Sequence, residues 1–183
     1  MNALLTYTTP FWTDSRWAVP VAPVASETAF SFERPNYLDV DARGIGYFSF
    51  YAPPKKLGAA TFYLGTFKDA KGGFLRGEES YKLHVPPNVP AQQFWALTLY
   101  DRETCAFIRE MPRAGLDSYD QKMQRNADGS VDIYIGPRPP AGKEANWIQT
   151  ASGRGWFPFF RLYGPEKSFF EKTWKLPDIE HVN

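Results

Sequence analysis

The chain has 183 residues with 21 Lys plus Arg against 20 Asp plus Glu, and this balance argues against a nucleic-acid partner, which normally requires a basic surface. No apolar run approaches the roughly 20 residues that a membrane helix requires, so no membrane partner is expected. One cysteine, Cys105, and two distant histidines predict neither an internal disulfide nor a metal site, and we expect no cofactor.

The first 57 residues differ in character from the rest of the chain. Prolines interrupt any long element there at Pro10, Pro20, Pro23 and Pro35. The segment also contains Phe11, Trp12 and Trp17, which are too apolar for a free tail. We therefore predict an irregular N-terminal arm over 1–57 that packs on the sandwich of its own chain or exchanges with a second copy in a homodimer.

From residue 58 onward the sequence predicts a β-sandwich domain that extends to residue 183. Apolar or alternating runs predict strands over 60–67, 81–85, 94–100, 105–108, 131–135, 147–150 and 155–163. Pro158 lies within the last of these runs and indicates an edge strand or a bulge. Residues 109–125 are typical of a polar loop or short helix, and 166–174 is the one convincing helix.

Short strands separated by turns, with one closing helix, indicate a mainly β fold. A parallel sheet would need crossover helices between its strands, and the sequence contains none. The predicted fold class is therefore an antiparallel two-sheet sandwich of jelly-roll type, with the irregular arm and the C-terminal helix added.

Alternation along the strands separates a predicted core from a predicted outer face, because successive side chains point to opposite sides of a strand. The core parity carries Leu83, Val85, Trp95, Leu97, Leu99, Val131, Ile133, Ile135, Phe160 and Leu162. The opposite parity carries the residues that we predict to bind a ligand, which are His84, Tyr100, Asp132, Tyr134, Arg161 and Tyr163. If their strands share a sheet, these six side chains meet on one face.

Flat aromatic rings beside fixed hydrogen-bonding groups suit a sugar or an aromatic acid. The sequence thus favours a domain that binds a carbohydrate or similar small polar ligand. Two alternatives stay open at this point. In the first, the tyrosines are ordinary cross-strand pairs or lie under the arm, and they bind no ligand. In the second, the domain is a hydrolase that uses Asp101, Asp132, His84 or Arg161 as acid, base or anion clamp.

Long ordered blocks of the sequence also carry a family resemblance from about residue 58 onward. They are YLGTFKD at 63–69, YKLHVPPNVP at 81–90, FWALTLYD at 94–101, NADGSVDIYIGP at 126–137, GKEANWIQT at 142–150, GWFPFFRLYGP at 155–165 and FFEKTWKLPDIE at 169–180. In these blocks the chain resembles a bacterial family catalogued as domain of unknown function 1214.

The resemblance implies a jelly-roll β domain at the C-terminal end of longer, often secreted proteins. It therefore implies an upstream domain as a further partner, and relatives that are periplasmic or secreted. The first residues of this chain lack the basic and apolar regions of a signal peptide, so the cellular compartment stays open. No catalytic residues are implied by the resemblance.

Overall fold

The computed structural model describes residues 10–19, 33–34, 36–38, 61–108 and 111–182. Within them the chain forms two four-stranded sheets and one short strand pair. The strands are β1 (Glu33–Arg34), β2 (Tyr37–Leu38), β3 (Thr61–Gly65), β4 (Ser80–Val85), β5 (Ala91–Asp101), β6 (Gly115–Asp117), β7 (Val131–Gly136), β8 (Trp147–Gln149), β9 (Trp156–Pro165) and β10 (Glu180–Val182). A 3-10 turn spans Glu144–Asn146, and an α-helix, α1, spans Lys167–Phe170.

The front sheet has the strand order β3-β9-β5-β6, and the back sheet has the order β10-β4-β7-β8. Neighbouring strands are antiparallel except for β7 and β8, which run parallel because a loop with the 3-10 turn returns the chain to the same end. The mainly β, two-sheet fold predicted from the sequence is confirmed.

The core lies between the inner faces of the two sheets. All ten residues of the predicted core parity are buried, and none is more than 5% exposed. The back sheet adds Tyr81 and Ile148, and the front sheet adds Phe62, Leu64 and Leu116. Alternation of apolar and polar residues therefore fixed the core-facing side of each long strand, as the period of two along a strand requires.

Several predicted elements differ in extent from those observed. Residues 115–117, expected in a polar loop or helix, form strand β6, with Leu116 buried against the core. The run 105–108 forms only a bridge between Phe107 and Tyr100. The helix expected over 166–174 ends at Phe170, because Lys172 adopts a left-handed conformation with φ of 59°. No helix in the described ranges is long and apolar enough to span a membrane.

Strand β9 is central in the front sheet, although Pro158 indicated an edge strand or a bulge. The ladder between β3 and β9 stops at the pair Gly65–Phe159, one residue short of Pro158. On the other side, Pro158 pairs with Leu99 of β5. The proline is tolerated because it lies beyond the end of β3, where its missing N–H leaves no ladder bond unmade.

Residues 10–19 lie against the core and the C-terminal segment. Trp17 is fully buried, and its indole Nε1 donates to the Pro177 carbonyl oxygen at 2.8 Å. Ala18 exchanges two backbone hydrogen bonds of 2.9 Å with Gly65, which continues the edge of β3. Most of the remaining predicted arm lies outside the described residues.

Candidate ligand-binding face

The structure divides the six predicted ligand-binding residues between two sheets. On the front sheet lie Tyr100, Arg161 and Tyr163. On the back sheet lie His84, Asp132 and Tyr134. The outer faces of a sandwich point away from each other, so the single mixed face does not form. Alternation assigns a side chain to one side of its strand, but it does not say which sheet the strand joins.

Small side chains occupy the middle of strand β5 on the outer face of the front sheet. Phe94 and Tyr100 are at the two ends, and Ala96 and Thr98 lie between them; all four are partly exposed. Gly115 of β6 pairs with Thr98. A Cβ at Gly115 would come within 2.1 Å of a backbone oxygen of β5, so this close pairing requires glycine. Ala96, Thr98 and Gly115 are called the central strip below.

An aromatic stack closes one end of the central strip. The turn after β5 returns the chain so that Phe107 stacks on Tyr100, with ring centroids 5.2 Å apart. Phe157 stacks on the opposite side of Tyr100 at 5.4 Å. Both faces of the Tyr100 ring are therefore covered, whereas Phe107 is 56% exposed.

A second stack closes the other end. Tyr163 of β9 lies opposite Phe94 of β5, and their rings stack with centroids 3.9 Å apart. Tyr119, which follows β6, packs on Phe94 at 5.0 Å and is 65% exposed. Phe94 and Tyr100 are six residues apart, which in a strand corresponds to about 20 Å.

Arg161 borders the central strip on the β9 side. Its Cζ atom lies 5.1 Å from the ring centroid of Tyr63 and 5.6 Å from those of Tyr100 and Phe159. Its Nη1 donates to the Thr98 hydroxyl at 2.7 Å, and its Nη2 donates to the Tyr100 hydroxyl at 2.5 Å. The guanidinium is thus fixed by two hydrogen bonds and three aromatic rings.

No described carboxylate forms an ion pair with Arg161. The acidic side chain in its own cross-strand row is Asp117, because Arg161 pairs with Ala96 and Ala96 pairs with Asp117. Asp117 accepts a hydrogen bond from the Tyr119 N–H at 2.8 Å. A cation and an anion therefore border the strip from opposite sides without contacting each other.

A buried aromatic cluster lies beside Arg161 on the same outer face. It contains Phe67, Phe157 and Phe159, which are between 2% and 7% exposed, with Tyr100 and Cys105 packed against it. Burial raises the pKa of the Cys105 thiol, which disfavours the thiolate that a nucleophile requires. Sequence reasoning missed this cluster, since strand parity placed Phe159 on the outer face, where an exposed side chain is expected.

The outer face of the back sheet holds a histidine–carboxylate pair. His84 and Asp132 are opposite each other on β4 and β7, with Nδ1 and Oδ1 2.7 Å apart. Asn126 Nδ2 donates to the second oxygen of Asp132 at 3.3 Å. Burial raises the pKa of Asp132, but the hydrogen bonds from His84 and Asn126 outweigh it, so the pKa lies below its usual value.

A row of mixed side chains crosses the same back face. Lys82 pairs with Tyr134, and Tyr134 pairs with Trp147. The Lys82 ammonium lies 3.8 Å from a carboxylate oxygen of Glu180 on β10. This cation already has an ionic partner, unlike Arg161 on the front face.

Asp101, the other carboxylate expected in a hydrolase, is buried at the end of β5. Its Oδ1 accepts the N–H groups of Glu103 and Thr104 at 2.9 and 2.8 Å, and its Oδ2 accepts from Arg154 at 2.9 Å. Asp132 belongs to the other sheet, so the structure does not bring the two carboxylates together. Among the described residues, no three His, Cys, Asp or Glu side chains are grouped as a metal would require.

A shallow cleft at one end of the sandwich is separate from both faces. It lies between residues 86–89 and the start of β7, with Trp95 and Arg125 in its lining. The Arg125 guanidinium donates to the Ser118 carbonyl oxygen at 3.2 Å. None of the six predicted residues lines this cleft.

Residues 60–167 match the family described as "Protein of unknown function (DUF1214)". The chain belongs to this family. All six predicted ligand-binding residues and the whole of the central strip lie within the part of the DUF1214 chain that matches. None of the curated proteins compared with the chain matches it.

Two solved structures are similar to this DUF1214 chain. The VPA0106 protein from Vibrio parahaemolyticus is 19% identical, with a TM-score of 0.60, and the match covers 79% of this chain and 35% of that one. An uncharacterised protein from Burkholderia cenocepacia is also 19% identical, with a TM-score of 0.49 and coverage of 67% and 30%. The chain thus spans about a third of the length of each. The similarity to the VPA0106 protein supports the fold of this chain and nothing about its function.

Proposed function

We propose that the outer face of the front sheet binds a carbohydrate or a similar small polar ligand, and that the domain acts by binding. The observation that carries this proposal is the central strip, which lies between two aromatic stacks and beside a fixed guanidinium. Such a surface offers apolar ring faces together with hydrogen-bonding groups in set positions, the combination that a sugar requires.

The exposed rings define where a ligand would pack. Tyr100 is covered on both faces, so it contributes its hydroxyl rather than a stacking surface. Phe107 and Tyr119 are exposed at opposite ends of the strip and present the free ring surface. Because the side chains of Ala96 and Thr98 are small, they leave room between the two exposed rings for a ligand to approach the sheet.

Replacing Ala96 with leucine should weaken ligand binding at least tenfold while changing the melting temperature little. The larger side chain fills the strip but points away from the core. Calorimetric titration with a panel of monosaccharides and sugar acids, applied to the wild type and to Ala96→Leu, measures this effect. Tyr134→Ala is the matched control, because it removes an outward ring from the back sheet. Equal binding by the wild type and Ala96→Leu would place any ligand elsewhere.

The hydrolase alternative now depends on the back face. His84 has a carboxylate partner on Nδ1, none of the described residues bonds its Nε2, and its side chain is 40% exposed. In that arrangement the imidazole would act as a general base toward water. Release of nitrophenol from nitrophenyl glycosides and esters should then be faster with the wild type than with His84→Gln. Equal, background-level rates with both proteins would exclude this chemistry at His84.

A further inference from the structure

The donors around Arg161 outnumber the acceptors. A guanidinium carries five N–H groups, and two of them are used by the hydroxyls of Thr98 and Tyr100. Each of these hydroxyls accepts from Arg161, and none of the described residues accepts the hydroxyl's own hydrogen. Three N–H groups and two O–H groups thus remain as hydrogen-bond donors around Arg161 on the front face.

The positive charge at this place lacks an ionic partner among the described carboxylates. Three aromatic rings surround the guanidinium, and they displace water that would otherwise solvate it. A charge with reduced hydration interacts more strongly with an opposite charge than a charge in bulk water does. The complement of this site is therefore an oxyanion.

A carboxylate is one oxyanion that fits this site. A planar guanidinium pairs with a carboxylate through two parallel hydrogen bonds. Across the central strip, Asp117 offers a carboxylate with one oxygen unused by the described residues, which suits the hydroxyl groups of a ligand. Its position two strands from Arg161 corresponds to about 10 Å between Cα atoms, a span that a substituted six-membered ring can bridge with the two side chains.

We infer that the ligand of the front face is a hydroxylated ring acid of the hexuronic acid class, with its carboxylate on Arg161 and its hydroxyls toward Asp117. This inference rests on the proposed function and names its ligand. The aromatic stacks would contact the faces of the sugar ring.

Calorimetric titration with matched pairs of sugars tests the inference. The wild type should bind D-glucuronate or D-galacturonate about 10- to 100-fold more tightly than D-glucose or D-galactose, the range expected for a charge-assisted hydrogen bond. The preference should fall with added salt, because the partly exposed charges are screened. Benzoate, which has the carboxylate and the ring but no hydroxyls, should bind more weakly than the uronates.

Two variants separate a binding role for Arg161 from a structural one. Arg161→Met should lose the preference for the acid, whereas Arg161→Lys should keep part of it, because it retains the charge without the planar pairing. Lys82→Met on the back face is the matched control and should bind like the wild type. Thermal melting of each variant shows whether it is folded.

The outcomes distinguish the inference from the proposed function. If neutral sugars and uronates bind equally, or if Arg161→Met keeps the preference, the inference is overturned while sugar binding stands. Benzoate binding as tightly as glucuronate would overturn the assignment of a hydroxylated ligand. If neither sugars nor uronates bind, both the inference and the proposed function fail.

Discussion

Replacing Trp17 with alanine should lower the free energy of unfolding by about 3–5 kcal/mol. Trp17 is completely buried although it lies in an irregular segment, and it packs near Phe160 of β9. The substitution removes the ring, leaves a cavity and frees the Pro177 carbonyl oxygen from its indole partner. In a chain of this size, each kcal/mol lowers the melting temperature by roughly 2–4 °C.

Replacing Trp17 should weaken the packing of the whole 10–19 segment. The Ser15 hydroxyl and the Arg16 N–H both donate to Asp178, at 2.9 and 2.8 Å, so the segment is joined to residues 174–179 at several points. Chemical denaturation of the wild type and Trp17→Ala measures the change. Tyr119→Ala is the control, since it deletes an exposed ring and should cost about 0.5–1.5 kcal/mol at most. Equal stability of the wild type and Trp17→Ala would show that the segment does not contribute to the core.

Replacing Asp101 with alanine should cost about 1–3 kcal/mol, because it removes the buried acceptor of two backbone N–H groups and one ionic partner of the half-exposed Arg154. The carboxylate is 1% exposed and holds the turn that reverses the chain after β5. Without it, two backbone N–H groups lose their acceptor, and the Arg154 guanidinium loses one of its partners. Denaturant unfolding near neutral pH measures the loss. Asp128→Ala, at an exposed turn, should cost less.

Asp101 should also make the free energy of unfolding depend on pH. Burial raises the pKa of Asp101, but hydrogen bonds from Thr104 and Arg154 outweigh it and place the pKa below its usual value. A carboxyl with a depressed folded-state pKa contributes stability that is present above its unfolded pKa of about 4 and is lost as pH falls through the folded value. The difference in stability between the wild type and Asp101→Asn should therefore narrow in acid.

Other carboxyl groups do not contribute to the difference in stability between the wild type and Asp101→Asn. Asp14, Asp128 and Asp132 also have lowered pKa values, but they are present in both proteins, so their contributions cancel in the difference. Unfolding curves collected from neutral pH to below about pH 4 give the result. A difference that stays constant over this range would contradict the prediction that Asp101 titrates with folding.

The class of fold and the core side of each long strand could be predicted from local sequence patterns. Leu83 and Val85 on β4, or Val131 and Ile133 on β7, alternate with polar residues, and this period reports the orientation of side chains within a strand. The information is local, so a short window suffices. The shortest strands could not be predicted in this way, since three residues such as 115–117 are too few to show a period.

Which strands share a sheet could not be predicted from such patterns and is seen in the folded chain. Arg161 meets Tyr100 because β9 pairs with β5, about sixty positions earlier in the chain, whereas His84 meets Asp132 because β4 pairs with β7. Likewise, Trp17 is buried by a segment about 160 residues away. These contacts depend on packing between distant segments, which a local pattern does not encode. The sequence therefore predicted the chemical types of the candidate site residues, and the fold separated them into two faces.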